Sequence, residues 1–415
     1  MKAYYKRNII MSILIILAIS CIIVLKDLSL KQKAEESTEI AKIPKLYITG
    51  NIKNMQDKLD KRKVGVVYKS SDISFESYAE IKIQGAFSTK FDKKNYNITF
   101  YQDSKGKEKR DINIKWGNMS KYTLKADWME QFHSRNIATA HIASEINKKY
   151  NLFTDTINYG YTDGFPIEIY INGKFLGLYI LCIQKDYLLE MDESNPNNIA
   201  IMGGGLKLTS FDKLETEEWK NFDVEFGEPN EETLEKLNRI INFVRYSEDE
   251  DFVRDFEKYF NLDSVLNYYC FMQFAQLTDN ILRNVYLVTY DGEIWYTLPF
   301  DLEFSWGNQY FGGLRLQETD NRYLSNLLRQ SYLWKRVRTL FADKLKERYA
   351  ELRQDILTKE NVINKLYSFY SLIPQETLEK EYEKWKNKPG YKITYIEDYL
   401  DQRLETVDKE LEYNQ

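Results

Sequence analysis

The sequence is poor in the two side chains that most often bind transition metals. Its 415 residues include only two histidines and three cysteines. With so few of them, no zinc-ligand spacing can be assembled and no disulfide framework can be read. A single bridge between Cys182 and Cys270 stays open as an alternative, but two unpaired buried thiols are the favoured interpretation. We also find no internal repeat and no low-complexity tract.

The sequence has no excess of basic residues either. Its 58 lysines and arginines face 63 acidic residues, which gives a net charge of −5. Proteins that follow a phosphate backbone normally carry a basic face, so a nucleic-acid partner is not expected. The glycine run at 203–205 is too short and wrongly spaced for a P-loop or a dinucleotide fingerprint. Lys207, just after it, is kept as a weak candidate phosphate contact.

One long uncharged run does occur, over residues 8–25, directly after the basic residues Lys2, Lys6 and Arg7. Its length is at the lower end of what crosses a bilayer, and the basic flank should stay in the cytoplasm. We therefore predict a cytoplasmic tail and single transmembrane anchor (1–25), a stalk (26–43) and an extracytoplasmic domain. A cleaved signal peptide and a lipoprotein modified at Cys21 remain alternatives.

The remaining chain reads as strand-rich first and helical later, which predicts an α+β protein. We divide the domain at 44–412 into a strand-rich part (44–210) and a helical part (211–412). Alternation of apolar and polar residues predicts the strands, and helical periodicity predicts the later helices. The predicted strands are Leu46–Thr49, Val64–Tyr68, Tyr78–Ile83, Tyr96–Phe100, Tyr122–Lys125, Phe165–Ile171 and Lys174–Ile183. The predicted helices are Ser134–Lys149, Leu234–Tyr246, Asp251–Tyr259, Leu262–Gln276, Tyr323–Arg353, Lys359–Ser371 and Thr394–Tyr413.

A predicted β-hairpin lies at the centre of the helical part. The Asp291-Gly292 pair is a strong signal for a type I′ turn, because both central residues of that turn need positive φ. The turn predicts paired strands at Val285–Tyr290 and Glu293–Leu298. This register places Asn284 opposite Pro299, at the open end of the hairpin.

The same register brings Asn284 and Asp301 to one face, as diagonal neighbours about 7–8 Å apart. An amide and a carboxylate at that separation can hold one hard cation. Asp279, five residues before Asn284, should lie in the loop that enters the hairpin. Protein kinases use this order of residues: one Asp orients the attacking hydroxyl, and the Asn and a later Asp hold Mg²⁺. An ordinary hairpin with acidic residues at its open end is the alternative.

Three cations upstream are candidates for neutralising phosphates. Lys93 and Lys94 follow a turn that contains Gly85, at the mouth of a strand, although such lysines are as often simply solvated. Arg135 lies in the first turn of a predicted helix, where a cation opposes the helix dipole and needs an anionic partner. That partner is either a nearby carboxylate, Glu130 or Asp127, or a ligand phosphate.

From about Tyr47 to Glu412 the chain resembles the CotH kinase family, which is related in fold to secretory-pathway protein kinases. Four blocks in the correct order carry the resemblance. They are Gly85, Ser88, Lys93, Lys94 and Tyr96; then Leu124, Ala126, Asp127, Glu130, Arg135 and Asn136; then Asn172, Gly173, Gly177 and Tyr179; and finally Asp279, Asn284, Pro299, Phe300, Asp301, Leu302, Glu303 and Gly307.

The resemblance implies a two-lobed atypical protein-kinase-like fold. It also implies ATP-dependent phosphorylation of Ser or Thr, with Mg²⁺ or Mn²⁺, on surface or spore coat proteins. Asp279 would then be the catalytic residue, Asp301 the principal metal ligand, and Asn284 and Glu303 supporting ligands. The resemblance makes Lys94 and Arg135 the leading candidates for phosphate-side cations. The full set of predicted nucleotide-binding residues is Lys93, Lys94, Arg135, Lys207 and Asn280.

The sequence departs from the family pattern at the end of one predicted strand. An acidic residue commonly follows the Gly-x-Tyr strand, but Cys182, Ile183 and Gln184 stand there instead. Kinases hold their phosphate-binding lysine with an ion pair, so the loss of its acidic half could leave that lysine misplaced. Asp279, Asn284 and Asp301 together make an active kinase the first hypothesis, and the missing carboxylate makes an inactive kinase-like scaffold the second. An aromatic-rich glycan-binding or wall-associated module is the third.

Overall fold

A computed structural model describes residues 43–55, 57–85, 87–130, 132–203, 222–281, 283–308, 322–386 and 394–413. The predicted anchor and Lys207 lie outside these residues, as does all but the last residue of the predicted stalk. Within the described ranges, no helix has the length and apolar character needed to cross a membrane.

The first half of the chain forms a closed seven-stranded barrel in the order β1-β2-β3-β4-β7-β9-β8. Strand β1 closes it by pairing antiparallel with β2 and parallel with β8. A two-stranded ribbon, β5 with β6, lies beside it. The bounds are β1 Lys45–Thr49, β2 Lys61–Lys69, β3 Ser74–Gln84, β4 Asn95–Tyr101, β5 Ile112–Asn113, β6 Asn118–Met119, β7 Lys121–Lys125, β8 Gly164–Ile171 and β9 Lys174–Ile183.

Strict alternation gives the barrel an apolar interior and a polar outer face. In β4, Tyr96, Ile98 and Phe100 are buried, whereas Asn95, Asn97 and Thr99 are only half-buried. Successive side chains of a strand point to opposite faces, so the polar set lies on the outside of the barrel. That outer face becomes one wall of the site described below.

A second, four-stranded sheet has the order β11-β10-β12-β13. Its strands are β10 Ile199–Gly203, β11 Phe222–Phe226, β12 Val285–Thr289 and β13 Tyr296–Pro299. The helices are α1 Arg135–Lys149, α2 Glu231–Tyr246, α3 Asp249–Asp255, α4 Leu262–Ala275, α5 Arg322–Leu328, α6 Tyr332–Leu340, α7 Ala342–Arg353, α8 Lys359–Tyr370, α9 Gln375–Trp385 and α10 Thr394–Glu410. One apolar cluster runs through the barrel, the sheet and the helices.

The α+β class is confirmed, with a strand-rich part followed by a largely helical part. Cys182 and Cys270 are both free and buried, as favoured from the sequence. The single helix predicted over Tyr323–Arg353 is wrong, because three helices occupy that range. Ser331 begins the middle one by accepting a hydrogen bond from the backbone N–H of Trp334.

The predicted hairpin is present, but its register was wrong by one residue. Val285, not Asn284, pairs with Pro299. The Asp291 carboxylate accepts hydrogen bonds from the backbone N–H groups of Glu293 and Ile294, at 2.8 and 2.9 Å. A side-chain turn of this kind makes the connection longer than the two-residue turn expected from Asp-Gly. The strands consequently end at Thr289 and restart at Tyr296.

Candidate active site

A cleft of about 1030 Å³ separates the outer face of the barrel from the second sheet. The barrel contributes polar side chains of β3, β4 and β7, and the opposite wall comes from β10, β11 and the segments flanking the β12–β13 hairpin. Four residues singled out from the sequence line this cleft together: Asp279, Asn284, Asp301 and Glu303.

Asp279 and Asn284 are held against each other at the entrance of the hairpin. Helix α4 ends at Gln276, which has a left-handed backbone, and a short 3-10 turn over Thr278–Asn280 then carries Asp279. The side-chain amide of Asn284 donates to Asp279 Oδ2 at 2.6 Å. Asn284 itself has φ of 49°, a conformation that Asn tolerates better than most residues. The amide therefore fixes the orientation of the carboxylate.

Asn280, predicted to bind nucleotide, has a different place. It is fully buried, and its side-chain amide donates to the carbonyl oxygens of Asn284, at 3.2 Å, and Phe300, at 2.7 Å. It does not line the cleft. Asn280 thus ties together the two chain segments that carry Asn284 and Asp301, and the prediction of direct nucleotide contact is corrected.

Asp301 faces a lysine that the sequence analysis overlooked. The Lys125 ammonium, at the end of β7, donates to Asp301 Oδ1 at 3.2 Å. Across the described ranges this is the one hydrogen bond of that ammonium, which has three N–H groups to donate. Asn136, in the first turn of α1, accepts from the Leu302 backbone N–H at 2.9 Å and so fixes the segment beyond Asp301.

The pKa values of the cleft reflect this crowding of charge. Burial, with a contribution from Asp301, raises the pKa of Asp279 to about 6, although Arg283 opposes the rise. Burial and Asp301 also raise the pKa of Glu303 well above its ordinary range, with Lys125 acting in the other direction. Burial disfavours the charge on Lys125, but Asp301 and Glu303 outweigh it and raise its pKa. The cleft therefore concentrates negative charge around one ammonium group.

The carboxylates and the amide suit a hard divalent cation that is shared with a substrate. No group of three or more Asp, Glu, His or Cys residues placed to hold a metal occurs in the part of the chain that the structure describes. Mg²⁺ seldom uses such a cage, because it keeps waters and takes one or two carboxylates together with phosphate oxygens. Asp301, with Glu303 and the Asn284 amide nearby in the cleft, fits that incomplete set of oxygen ligands.

Lys93 is a structural residue, and its predicted contact with nucleotide is corrected. Its side chain is 1% exposed. The ammonium donates to Glu381 Oε1 at 2.7 Å, to the Ala126 carbonyl at 2.8 Å and to the Leu178 carbonyl. All three N–H groups are thereby used inside the protein, and none is left for a phosphate.

Lys94 and Arg135 are likewise outside the cleft lining. The Lys94 ammonium donates to the carbonyls of Thr89, at 2.8 Å, and Phe91, and so braces the loop before β4. Arg135 is 2% exposed and pairs with Glu130, one of the two carboxylates named from the sequence. Neither side chain lines the cleft, so contact of Lys94 and Arg135 with phosphate stays a prediction, and Lys207 lies beyond the described ranges.

A signal for Lys125 was present in the sequence. Once Tyr122 and Leu124 are assigned to the barrel interior, alternation places Lys121, Thr123 and Lys125 on the outer face. The glycine-containing turn before Lys93 and Lys94 favours those two lysines instead. Sequence alone did not reveal that Asp301 would lie next to β7.

The chain matches the model of a known protein family. The family model described as CotH kinase protein matches residues 81–407, a range that contains every residue of the cleft discussed above. No curated protein matches the chain.

Proposed function

Because the chain belongs to the CotH kinase family, we propose that it transfers the terminal phosphoryl group of ATP to Ser or Thr hydroxyls of proteins, using Mg²⁺ or Mn²⁺. One observation carries the proposal: Asp279, Asn284 and Asp301 line a single cleft in which Asp301 is paired with Lys125. Phosphoryl transfer needs this combination of an oriented carboxylate, metal ligands and a phosphate-binding cation.

The order of elements around the cleft supports a two-lobed kinase-like arrangement. A glycine-containing turn at Gly85 follows β3. Lys125 is on β7, two strands further along the barrel, and α1 is the next element of the chain after β7. Protein kinases follow the same sequence: a glycine-rich loop over the phosphates, then a lysine on the third strand, then a helix. In this scheme Lys125 occupies the position of the phosphate-binding lysine.

Asp279 is proposed to act on the acceptor hydroxyl. With a pKa of about 6, its carboxylate is ionised at neutral pH yet basic enough to accept a proton. The Asn284 amide holds one carboxylate oxygen at 2.6 Å and leaves the other to meet the hydroxyl. As the hydroxyl oxygen bonds to the γ-phosphorus, its proton passes to Asp279 and the bond to the β-phosphate oxygen breaks, releasing ADP.

Asp301, Glu303 and the Asn284 side chain would hold the divalent metal, which when bound offsets the charge of the phosphates. Among the described residues Asp301 is the one acceptor of the Lys125 ammonium, which leaves two N–H groups for phosphate oxygens. Asn280 and Asn136 act through these residues, because they fix the backbone on either side of Asp301.

The pairing of Lys125 favours an active enzyme over an inactive scaffold. The sequence lacks a carboxylate near Ile183, which raised the question of what would hold a phosphate-binding lysine. Asp301 does so at 3.2 Å, and Glu303 adds to the negative field around the ammonium. Lys125 therefore has a carboxylate partner even though no acidic residue stands near Ile183.

The location of the enzyme and its substrates are proposed from the sequence. Residues 1–25 would anchor the chain with its N-terminus inside, and the kinase-like domain would act on surface or spore coat proteins outside the cytoplasm. Protease added to intact cells should then digest the domain. Full protection of the domain from the protease would contradict this topology.

Transfer of labelled phosphate tests the activity. The purified full chain with ATP and Mg²⁺ or Mn²⁺ should label itself or a generic Ser/Thr acceptor. Asp301→Ala should abolish labelling, and Asp279→Asn should reduce it while nucleotide binding is kept. Asp343→Asn is the matched control, because the Asp343 side chain is 96% exposed on α7. Undiminished labelling in both cleft variants would contradict the assignment.

A further inference from the structure

A group of lysines extends the cleft away from its acidic centre. This lysine strip consists of Lys58, Lys61, Lys82 and Lys109, all of which line the same cleft as Asp279. Glu80, the acidic residue that lines the cleft beside them, pairs with Lys61 at 3.4 Å. Lys82 has no ion-pair partner anywhere in the described ranges. This end of the cleft therefore carries an uncompensated positive charge.

Strand pairing places two of these lysines side by side. Lys61 on β2 lies directly opposite Lys82 on β3. Like charges at directly opposed positions destabilise a sheet. The same row continues through Asn97 on β4 and Thr123 on β7, neither of which carries a charge. Glu80 offsets the charge of Lys61, but no residue of this row offsets that of Lys82, which makes an anionic ligand a natural partner for this surface.

The nucleotide does not account for that anion. Its phosphates belong beside Lys125 and Asp301, and the base and ribose are uncharged. Adjacent strands are about 4.8 Å apart, and Lys125 is two residues along β7 from the row that contains Lys61 and Lys82. Lys82, two strands from β7, and Lys61, three strands away, therefore lie roughly 12–16 Å from Lys125. The charge that the strip would bind therefore belongs to the second substrate.

Building on the proposed kinase activity, we propose that the lysine strip binds acidic side chains of the acceptor polypeptide. An extended chain advances about 3.3 Å per residue. The span from Lys125, beside which the transferred phosphate is proposed to lie, to Lys82 and Lys61 therefore corresponds to roughly three to five residues. The preferred acceptor then has Glu, Asp or an already phosphorylated residue three to five positions from the hydroxyl that is phosphorylated. One phosphorylation within a Ser/Thr-rich segment would promote the next.

Peptide binding without nucleotide tests the strip directly. The probes are fluorescein-labelled peptides with one serine and glutamates three to five residues away on either side, and the same peptides with glutamine. By fluorescence anisotropy at low salt, the full chain should bind the glutamate peptides about tenfold more tightly, since partly exposed ion pairs contribute modestly. The preference should fade as salt is added.

The Lys61→Gln/Lys82→Gln variant should lose this preference. Lys63→Gln is the matched control: it removes a lysine from the same strand, but this side chain contacts the Lys105 carbonyl and does not line the cleft. In transfer assays the double variant should raise KM for the glutamate peptide about tenfold and leave KM for ATP unchanged.

Equal affinity of the wild-type chain for glutamate and glutamine peptides would overturn the inference. So would an increase in KM for ATP in the double variant, because the lysines would then serve the nucleotide. The two proposals fail separately. Acidic peptides that bind without being phosphorylated contradict the kinase assignment alone, and phosphorylation with no acidic preference contradicts the lysine strip alone.

Discussion

Lys93 and Lys125 are two buried lysines whose ammonium groups differ in their access to the cleft. Each donates to a carboxylate, Glu381 and Asp301 respectively, and each side chain is at least nine-tenths buried. The Lys93 ammonium has three protein acceptors and does not line the cleft, whereas Lys125 lines it and has one acceptor within the part of the chain that the structure describes. What separates a structural lysine from a functional one here is how many N–H groups the protein leaves unused.

Their carboxylate partners differ in the same way. Glu381 is fully engaged, because its second oxygen accepts from the Leu178 backbone N–H at 2.7 Å and so fastens α9 to the barrel. Asp301 keeps a side chain that is 26% exposed, facing the cleft. Variants at these positions should therefore separate effects on stability from effects on phosphoryl transfer.

The largest effect is expected for Asp301→Ala. This variant removes the proposed metal ligand and leaves Lys125 without its carboxylate, so transfer should fall by ~10³-fold or more. Thermal unfolding should change less than for Lys93→Met, because the negative field of Glu303 still acts on the Lys125 ammonium. Activity within tenfold of wild type would mean that Asp301 does not hold the metal.

Lys93→Met should act on stability instead. Removing one partner of a buried ion pair leaves the other charge uncompensated, which typically costs about 3–5 kcal/mol in the free energy of unfolding. Urea unfolding of the variant measures this loss. Adding Glu381→Leu should recover part of it, because the orphaned charge is then gone. A Lys93→Met protein of normal stability would contradict the role we assign to the pair.

Lys125→Met removes the lysine that lines the cleft. We expect transfer to fall about 10²-fold and KM for ATP to rise, because a phosphate-binding cation is lost from the cleft. The urea midpoint should move less than for Lys93→Met. If the two variants lost stability and activity to the same degree, the distinction between the enclosed and the open pair would be wrong.

Asp279→Asn should raise the free energy of unfolding by about 3 kcal/mol at pH 8. In the folded protein the pKa of Asp279 is about 6, against an ordinary value of 3.8. Ionisation of this group therefore favours unfolding, with a cost that grows between pH 4 and 6 and is complete above pH 6. The difference between variant and wild type should vanish below about pH 4. A variant that stays equal to wild type at pH 8 would contradict the raised pKa.

The same titration predicts the pH dependence of catalysis. If Asp279 accepts the proton of the acceptor hydroxyl, kcat/KM should rise with pH and level off above an inflection near 6. A flat profile between pH 5 and 8 would argue against this role.

Much of the barrel could be predicted because alternation reports burial directly. The seven predicted strands all lie within observed ones, and the polar outer face of β4 follows from its sequence. Closure of the barrel could not be predicted, since it depends on the parallel pairing of β1 with β8, more than a hundred residues apart. Periodicity within one strand carries no information about its partner.

The acidic residues of the site could be predicted from the sequence, whereas the contact between Lys125 and Asp301 could not. Asp279, Asn284 and Asp301 follow one another around a single hairpin, so local spacing brought them together even with a register error of one residue. The interpretation of Lys93 failed because its partner, Glu381, lies on α9, a helix that the sequence analysis did not predict. Lys125 was missed for a different reason: its strand was predicted, but its contact with Asp301 joins two distant segments of the chain.

A thermal-shift titration with ATP, with and without Mg²⁺, tests the central claim most directly. Ligand that binds only the folded state must raise its stability by mass action. We predict that ATP with Mg²⁺ raises the Tm of the wild-type chain and of Asp343→Asn, and that Asp301→Ala shows no metal-dependent rise. No rise in the wild-type chain, or an equal rise in Asp301→Ala, would contradict a metal-nucleotide site in this cleft.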